Sequence, residues 1–255
     1  MRRGNFKVRI FIALVVVAFA LIRNWSQRET NPYTGRVQAI SLSPDQEIAI
    51  GLQSAPGMAQ QHGGLHPNQQ YQALVDDVGN RLVNNSIAKD TPYQYEFHLL
   101  ADENTINAFA LPGGQIFITY ALFSRLENQD QLAGVLGHEI GHVLGKHSNE
   151  RITDSKKWQT IIMGAGAIDM GSVAQQIGQG ELLKNGRGDE LESDELGVEF
   201  MLDAGYNPEE LIGVMEILKA AAGPNRVPEF QSTHPDPENR IEKIKEAIRK
   251  YKNAP

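Results

Sequence analysis

Apolar positions recur at three-to-four spacing over several long stretches and alternate in only a few short ones. The chain therefore predicts a predominantly helical α+β domain with a small sheet. The strongest helical pattern lies at 130–147. There Leu132, Val135, Leu136, Ile140, Val143 and Leu144 share a face, Asp130 is placed to cap the start and Gly145 to stop the run. Ser43-Pro44-Asp45-Gln46 opens another helix, with a cap, proline in the first position and Gln46 three residues on. Leu74, Val75, Val78 and Leu82 mark a helix over 71–84. Asn207 and Pro208 begin one that runs to about Ala222, and Ile241, Ile244, Ile248 and Tyr251 line a closing amphipathic helix. Strands are predicted over 93–101, 107–111 and 115–119, the last two joined by a turn at Pro112-Gly113-Gly114.

The first 25 residues follow a different plan. Arg2, Arg3, Lys7 and Arg9 precede an uncharged run from Ile10 to Ile22, and Arg23 and Trp25 follow it. A basic start before an apolar run predicts a signal peptide. If Lys7, Arg9 and Arg23 snorkel, the segment reaches the roughly 20 residues of an uncleaved membrane anchor. Basic residues at the start place the N-terminus inside and the remainder outside the cytoplasm, either anchored in a bacterial inner membrane facing the periplasm or released there. Residues 26–42 are polar, with Pro32 and Gly35, and read as a linker; 43–255 read as one domain.

With 255 residues and 41% hydrophobic content, the chain can bury one substantial core. Its net charge of −7, without a basic block beyond the first residues, argues against nucleic acid as a partner. The absence of cysteine excludes disulfides and thiolate metal sites.

Within the 130–147 helix stands His138-Glu139-Ile140-Gly141-His142. Histidines at i and i+4 project from one face a turn apart and can share one tetrahedral zinc ion. Glu139 lies about 100° further round, placed to reach a water on the metal as general base. A catalytic zinc site needs a third protein ligand. His147 falls on the far side of a continuing helix and reads as a surface histidine near the helix end. The stretch 189–205 offers a better candidate. On a helix, Glu190, Asp194, Gly197 and Met201 fall in one line, whereas Glu192, Glu195, Glu199 and Asp203 form an opposite, solvated stripe. Glu190 is accordingly the expected third ligand, and Asp194 the acceptor that orients a ligand histidine. His62 and His66 share the i, i+4 spacing, but Gly63 and Gly64 between them indicate a loop. His98 reads as a strand residue. The glycine-rich stretch 156–187 reads as a helical hairpin or a mobile flap over the site.

His-Glu-Ile-Gly-His followed by Glu190-Leu-Glu-Ser-Asp194 resembles the forty-eighth family of metallopeptidases. That family includes prenyl-protein proteases, a heat-shock membrane protease, a mitochondrial inner-membrane stress protease and periplasmic quality-control proteases. Two further stretches resemble it, Asn107 to Gly114 and Ser232 to Arg240. The resemblance implies a zincin-like fold, one zinc per chain and endopeptidase action on protein or peptide substrates. It implies that Asn107, Ala108, Phe109 and Ala110 bind extended substrate along a strand edge. It further implies that His234 and Arg240 reach the cleft to stabilise the oxyanion, with an alternative for His234 as an inhibitory occupant of the open zinc position. A zinc-stabilised chaperone-like or binding module with latent or absent proteolysis is the rival reading.

Overall fold

The computed structural model describes residues 6–163, 186–221, 229–235 and 239–253. Helix α1 (Phe6–Ser26) leads into a hairpin of β1 (Arg28–Thr30) and β2 (Val37–Ala39), followed by α2 (Pro44–Gln61) and α3 (Gln69–Asn85). Strands β3 (Glu96–Leu100), β4 (Ala108–Ala110) and β5 (Gln115–Thr119) come next, then a single turn of helix, α4 (Tyr120–Phe123). The remainder is helical: α5 (Gln129–Leu144), α6 (His147–Met163), α7 (Arg187–Asp203), α8 (Glu210–Ala221), α9 (Glu229–Thr233) and α10 (Arg240–Lys252). This is the predominantly helical domain with a small sheet that the periodicity predicted.

Local signals explain most boundaries. Ser43 and Gln46 form a reciprocal capping box at the start of α2, so two backbone donors that no helical carbonyl can reach are satisfied. Asn128, two residues before the expected Asp130, caps α5 by accepting from the Gln131 amide. The three-stranded sheet runs in the order β3-β5-β4. β5 pairs parallel with β3 and antiparallel with β4, with Phe97 opposite Ile116 and Phe109 opposite Phe117. β4 is thus an edge strand.

Helix α5 is the centre of the core, buried from Gln131 to Leu144 because α3, α7 and α8 and the sheet surround it. A helix enclosed on all sides needs neighbours that approach closely. Along the α5–α7 contact, a β-carbon on Gly141 would lie 2.9 Å from the Ser193 Cα, and one on Gly197 would lie 3.1 Å from the His138 amide nitrogen. Small residues here bring the two helix axes together, and with them the side chains that the two helices present to a common space.

The 26–42 stretch, read from its polarity as a linker, carries the β1–β2 hairpin, and Asn31 and Gln38 are buried within it. Among the described residues, no helix is long and apolar enough to cross a membrane. The expected hairpin or flap at 156–187 lies mostly outside the described residues, which include only its α6 portion to Met163 and its last two residues, at the start of α7.

Candidate active site

Four buried side chains converge between α5, α7 and the segment after α9: His138, His142, Glu190 and His234, with one ligand-type atom from each inside a span of 4.8 Å. The His138 and His142 Nε2 atoms are 3.0 Å apart. Glu190 places Oε2 3.4 Å from His138 Nε2 and Oε1 3.4 Å from His142 Nε2. The His234 Nδ1 lies 3.3 Å from His138 Nε2 and 3.1 Å from Glu190 Oε1. Ligands of a tetrahedral zinc at about 2.0–2.1 Å stand roughly 3.3–3.4 Å from one another, so these separations fit one ion. The donor set, imidazole with carboxylate and no thiolate, is one that zinc accepts.

Each side chain is held from behind. His138 Nδ1 donates to Asp194 Oδ1 at 2.9 Å, which leaves Nε2 to face the cluster. Arg240 donates to both Asp194 oxygens, from Nε at 2.7 Å and from Nη2 at 2.9 Å, and its Nη2 is 3.4 Å from Glu190 Oε2. Arg240 thus packs against the supporting carboxylate and a cluster carboxylate, a position that suits holding them in place. His234 Nε2 donates to the Ala108 carbonyl at 3.3 Å, so its Nδ1 lone pair is the one that faces inward.

Electrostatics follow from burial and these partners. Burial pushes the Glu190 carboxyl up, but His234, His138 and His142 around it hold it far below the ordinary carboxylate range. Asp194 is also lowered, with Arg240 and His138 outweighing its burial. Burial lowers the His142 imidazole well below its ordinary value and keeps it neutral. For Glu139 burial dominates and raises the carboxyl, against the pull of His234 and His138. Glu139 is fully buried, and among the described residues neither of its oxygens finds a hydrogen-bond partner; His234 Nε2 is 3.6 Å from Oε1. A desolvated carboxylate beside a metal-binding cluster, with its lone pairs uncommitted, is suited to taking a proton.

Of the residues expected to bind substrate, Ala108, Phe109 and Ala110 form β4 and Asn107 precedes it, all four buried. The 107–119 and 111–115 backbone pairs bond toward β5, so Ala108 and Ala110 direct their backbone groups to the outer edge, beside His234. The Asn107 Oδ1 is buried without a hydrogen bond among the described residues.

The comparisons with known proteins agree with this geometry. The family model described as Peptidase family M48 matches residues 69–248. The chain belongs to peptidase family M48. Among curated M48 relatives, the beta-barrel assembly-enhancing protease of Escherichia coli is 28% identical over 90% of this chain and 48% of its own length. Mitochondrial metalloendopeptidase OMA1 of Schizosaccharomyces pombe is 32% identical over 71% of this chain and 53% of its own. Metalloprotease YcaL of Escherichia coli is 27% identical over 83% of each. The chain spans about half the length of the first two. The M48 domain is that of a zinc metalloprotease, and the four-residue cluster fits the ion that such an enzyme uses.

One expectation is corrected. His147 is not a surface histidine; it is 1% exposed and lies behind His142, with the two Nδ1 atoms 2.7 Å apart. The helix does not continue past Gly145. Lys146 takes a φ of 53°, and α6 starts afresh at His147, so the angular reading across the break had no basis. Glu192, placed on the solvated stripe, is drawn in to accept from His147 Nε2 at 2.7 Å. The predicted stop at Gly145 was the available signal that helical phase would be lost there.

Proposed function

We propose that this chain is a zinc endopeptidase that hydrolyses peptide bonds in extended protein segments, with His138, His142 and Glu190 holding the ion. The observation that carries the reading is the buried, uncommitted Glu139 carboxylate beside that cluster. Zinc bound there supplies a Lewis acid for the scissile carbonyl and makes water more acidic. Glu139 takes the proton of the attacking water and hands it to the leaving amine, and its raised proton affinity suits both transfers. Asp194 fixes the tautomer and orientation of His138, and Arg240 acts through Asp194 and Glu190. The outward backbone groups of Ala108 and Ala110 pair with an extended substrate, with Asn107 and Phe109 shaping that edge.

His234 closes the site at rest. Its ring spans the fourth corner of the cluster through Nδ1 and the β4 edge through Nε2, so one movement frees both.

The setting we infer is extracytoplasmic protein quality control, with α1 as a membrane anchor. A basic, apolar N-terminal helix and relatives named for barrel assembly and for mitochondria support that setting. The deciding experiment compares casein cleavage by the zinc-loaded wild type and Glu139→Gln, with metal content measured for both. The wild type cleaves and the variant is slower by at least about 100-fold while retaining zinc. Equal rates end the protease reading; zinc binding without cleavage in either would favour a zinc-stabilised binding module.

A further inference from the structure

The structure assigns His147 a positioning role in the zinc site: it holds the outer nitrogen of His142 and ties that ligand to the β1–β2 hairpin, outside the matched family domain. The inference rests on the reading of His142 as a zinc ligand. With Nε2 of His142 turned toward the cluster, its proton sits on Nδ1 and is donated to His147 Nδ1 across 2.7 Å. His147 then carries its own proton on Nε2 and donates it to Glu192 Oε2, again at 2.7 Å. Ser193 Oγ stands 3.4 Å from His147 Nδ1 and completes the surroundings of the ring. A β-carbon at position 145 would lie 2.4 Å from His147 Nε2, so Gly145 makes room for the imidazole.

The path continues outward through charge. Arg36, in the β1–β2 turn, donates from Nη1 to Asp189 Oδ1 at 2.8 Å, and the same nitrogen is 3.3 Å from Glu192 Oε2. Its Nη2 pairs with Glu150 on α6. Two other hairpin residues cap the end of the zinc-binding helix itself. Asn31 Nδ2 donates to the Leu144 carbonyl at 2.8 Å, and Gln38 Nε2 donates to the Gly145 carbonyl at 2.6 Å. These carbonyls have no helical partner, so the hairpin satisfies the end of α5 where His142 sits.

His138 and His142 are therefore supported in different ways. His138 leans on Asp194 and Arg240, both within the family domain, whereas His142 leans on His147 and reaches a segment that follows α1 directly. An imidazole nitrogen is a weaker acceptor than a carboxylate oxygen, and the ring stays correctly oriented only while Glu192 and Arg36 hold its far side.

The test uses the full chain and reads zinc affinity by chelator competition, together with kcat and KM. His147→Leu is expected to lower zinc affinity by about 10–100-fold. At saturating zinc its kcat falls while KM is preserved. His147→Gln, with an acceptor and a donor on one side chain, recovers most of the affinity. An affinity for His147→Leu within about twofold of wild type, or equal losses in both variants, overturns the inference. Should His147→Leu fail to fold, Arg36→Met decides, because Arg36 is part-exposed and outside the core. It is expected to speed zinc dissociation by about threefold or more, and an unchanged rate overturns the inference. A wild-type chain that takes up no zinc would instead remove the site reading, and the inference with it.

Discussion

Arg240 and Asp194 form a buried, two-point ion pair, Nε to Oδ2 at 2.7 Å and Nη2 to Oδ1 at 2.9 Å, while Asp194 also accepts from His138. One carboxylate thus links the C-terminal helix to a zinc-site imidazole. Asp194→Ala is expected to lower zinc affinity by about 10–100-fold. It also removes the two-point partner of a buried guanidinium, at a stability cost of about 3–5 kcal/mol. Adding Arg240→Met restores much of the stability but none of the affinity. Thermal unfolding with chelator present and zinc competition separate the two effects; stability and affinity recovering together would show that they are one effect.

His234 gives a second outcome. With the ring occupying the fourth corner at rest, His234→Ala weakens zinc binding and raises basal casein cleavage by on the order of tenfold, because the competent state no longer competes with a closed one. A fall of about 100-fold would assign the ring an indispensable part in turnover.

The glycines between α5 and α7 differ in a measurable way. A β-carbon on Gly141 meets Ser193 Cα and O at 2.9 Å, whereas one on Gly137 meets Gly197 at 3.4 Å, ordinary contact. Gly141→Ala is expected to destabilise by about 1–3 kcal/mol through overpacking, despite a helix-propensity gain of up to about 1 kcal/mol. Gly137→Ala is neutral or stabilising. Chemical denaturation of both, with matching losses as the contrary result, checks the proximity of the helices.

How much of this was legible follows from which physical constraint each residue meets. Periodicity found α5, α7 and the strands because burial of apolar faces sets the spacing, and the same spacing separated Glu190 from Glu192. Asn31 and Gln38 were not legible. They are buried to satisfy carbonyls contributed more than a hundred residues away, and a polar residue buried for that reason has the same local signature as a solvated one. His147 failed differently, since its angle was counted through a helix that had ended. The clustering of His234 with the other three was indicated by family resemblance alone; no pattern within the chain pairs it with residues on α5 and α7.

Glu47 supplies a pH dependence. It is buried on α2 and accepts from the Tyr93 hydroxyl at 2.9 Å. Burial raises its carboxyl from an ordinary value of 4.5 to about 7, against the opposing pull of Tyr93 and Lys146. Between those values the folded chain keeps a proton that the unfolded chain has released, so stability falls as pH rises from 4.5 to about 7. The loss amounts to at most about 3 kcal/mol. Glu47→Gln is expected to match the wild type near pH 5 and exceed it near pH 8 by about 1–3 kcal/mol. A wild-type melting temperature that rises over this range relative to the variant would reverse the assignment.

The two hydrogen-bonding ends of the His234 ring tie chemistry to arrival. In the proposed function, a peptide that aligns beside Ala108 displaces the imidazole, and that same displacement opens the place where a water would stand. On that proposal an idle molecule would hold its hydrolytic power in check, and a chain that keeps its backbone folded would have no means of releasing it. Selection of this kind would read conformation ahead of sequence, sparing proteins by their own tertiary structure.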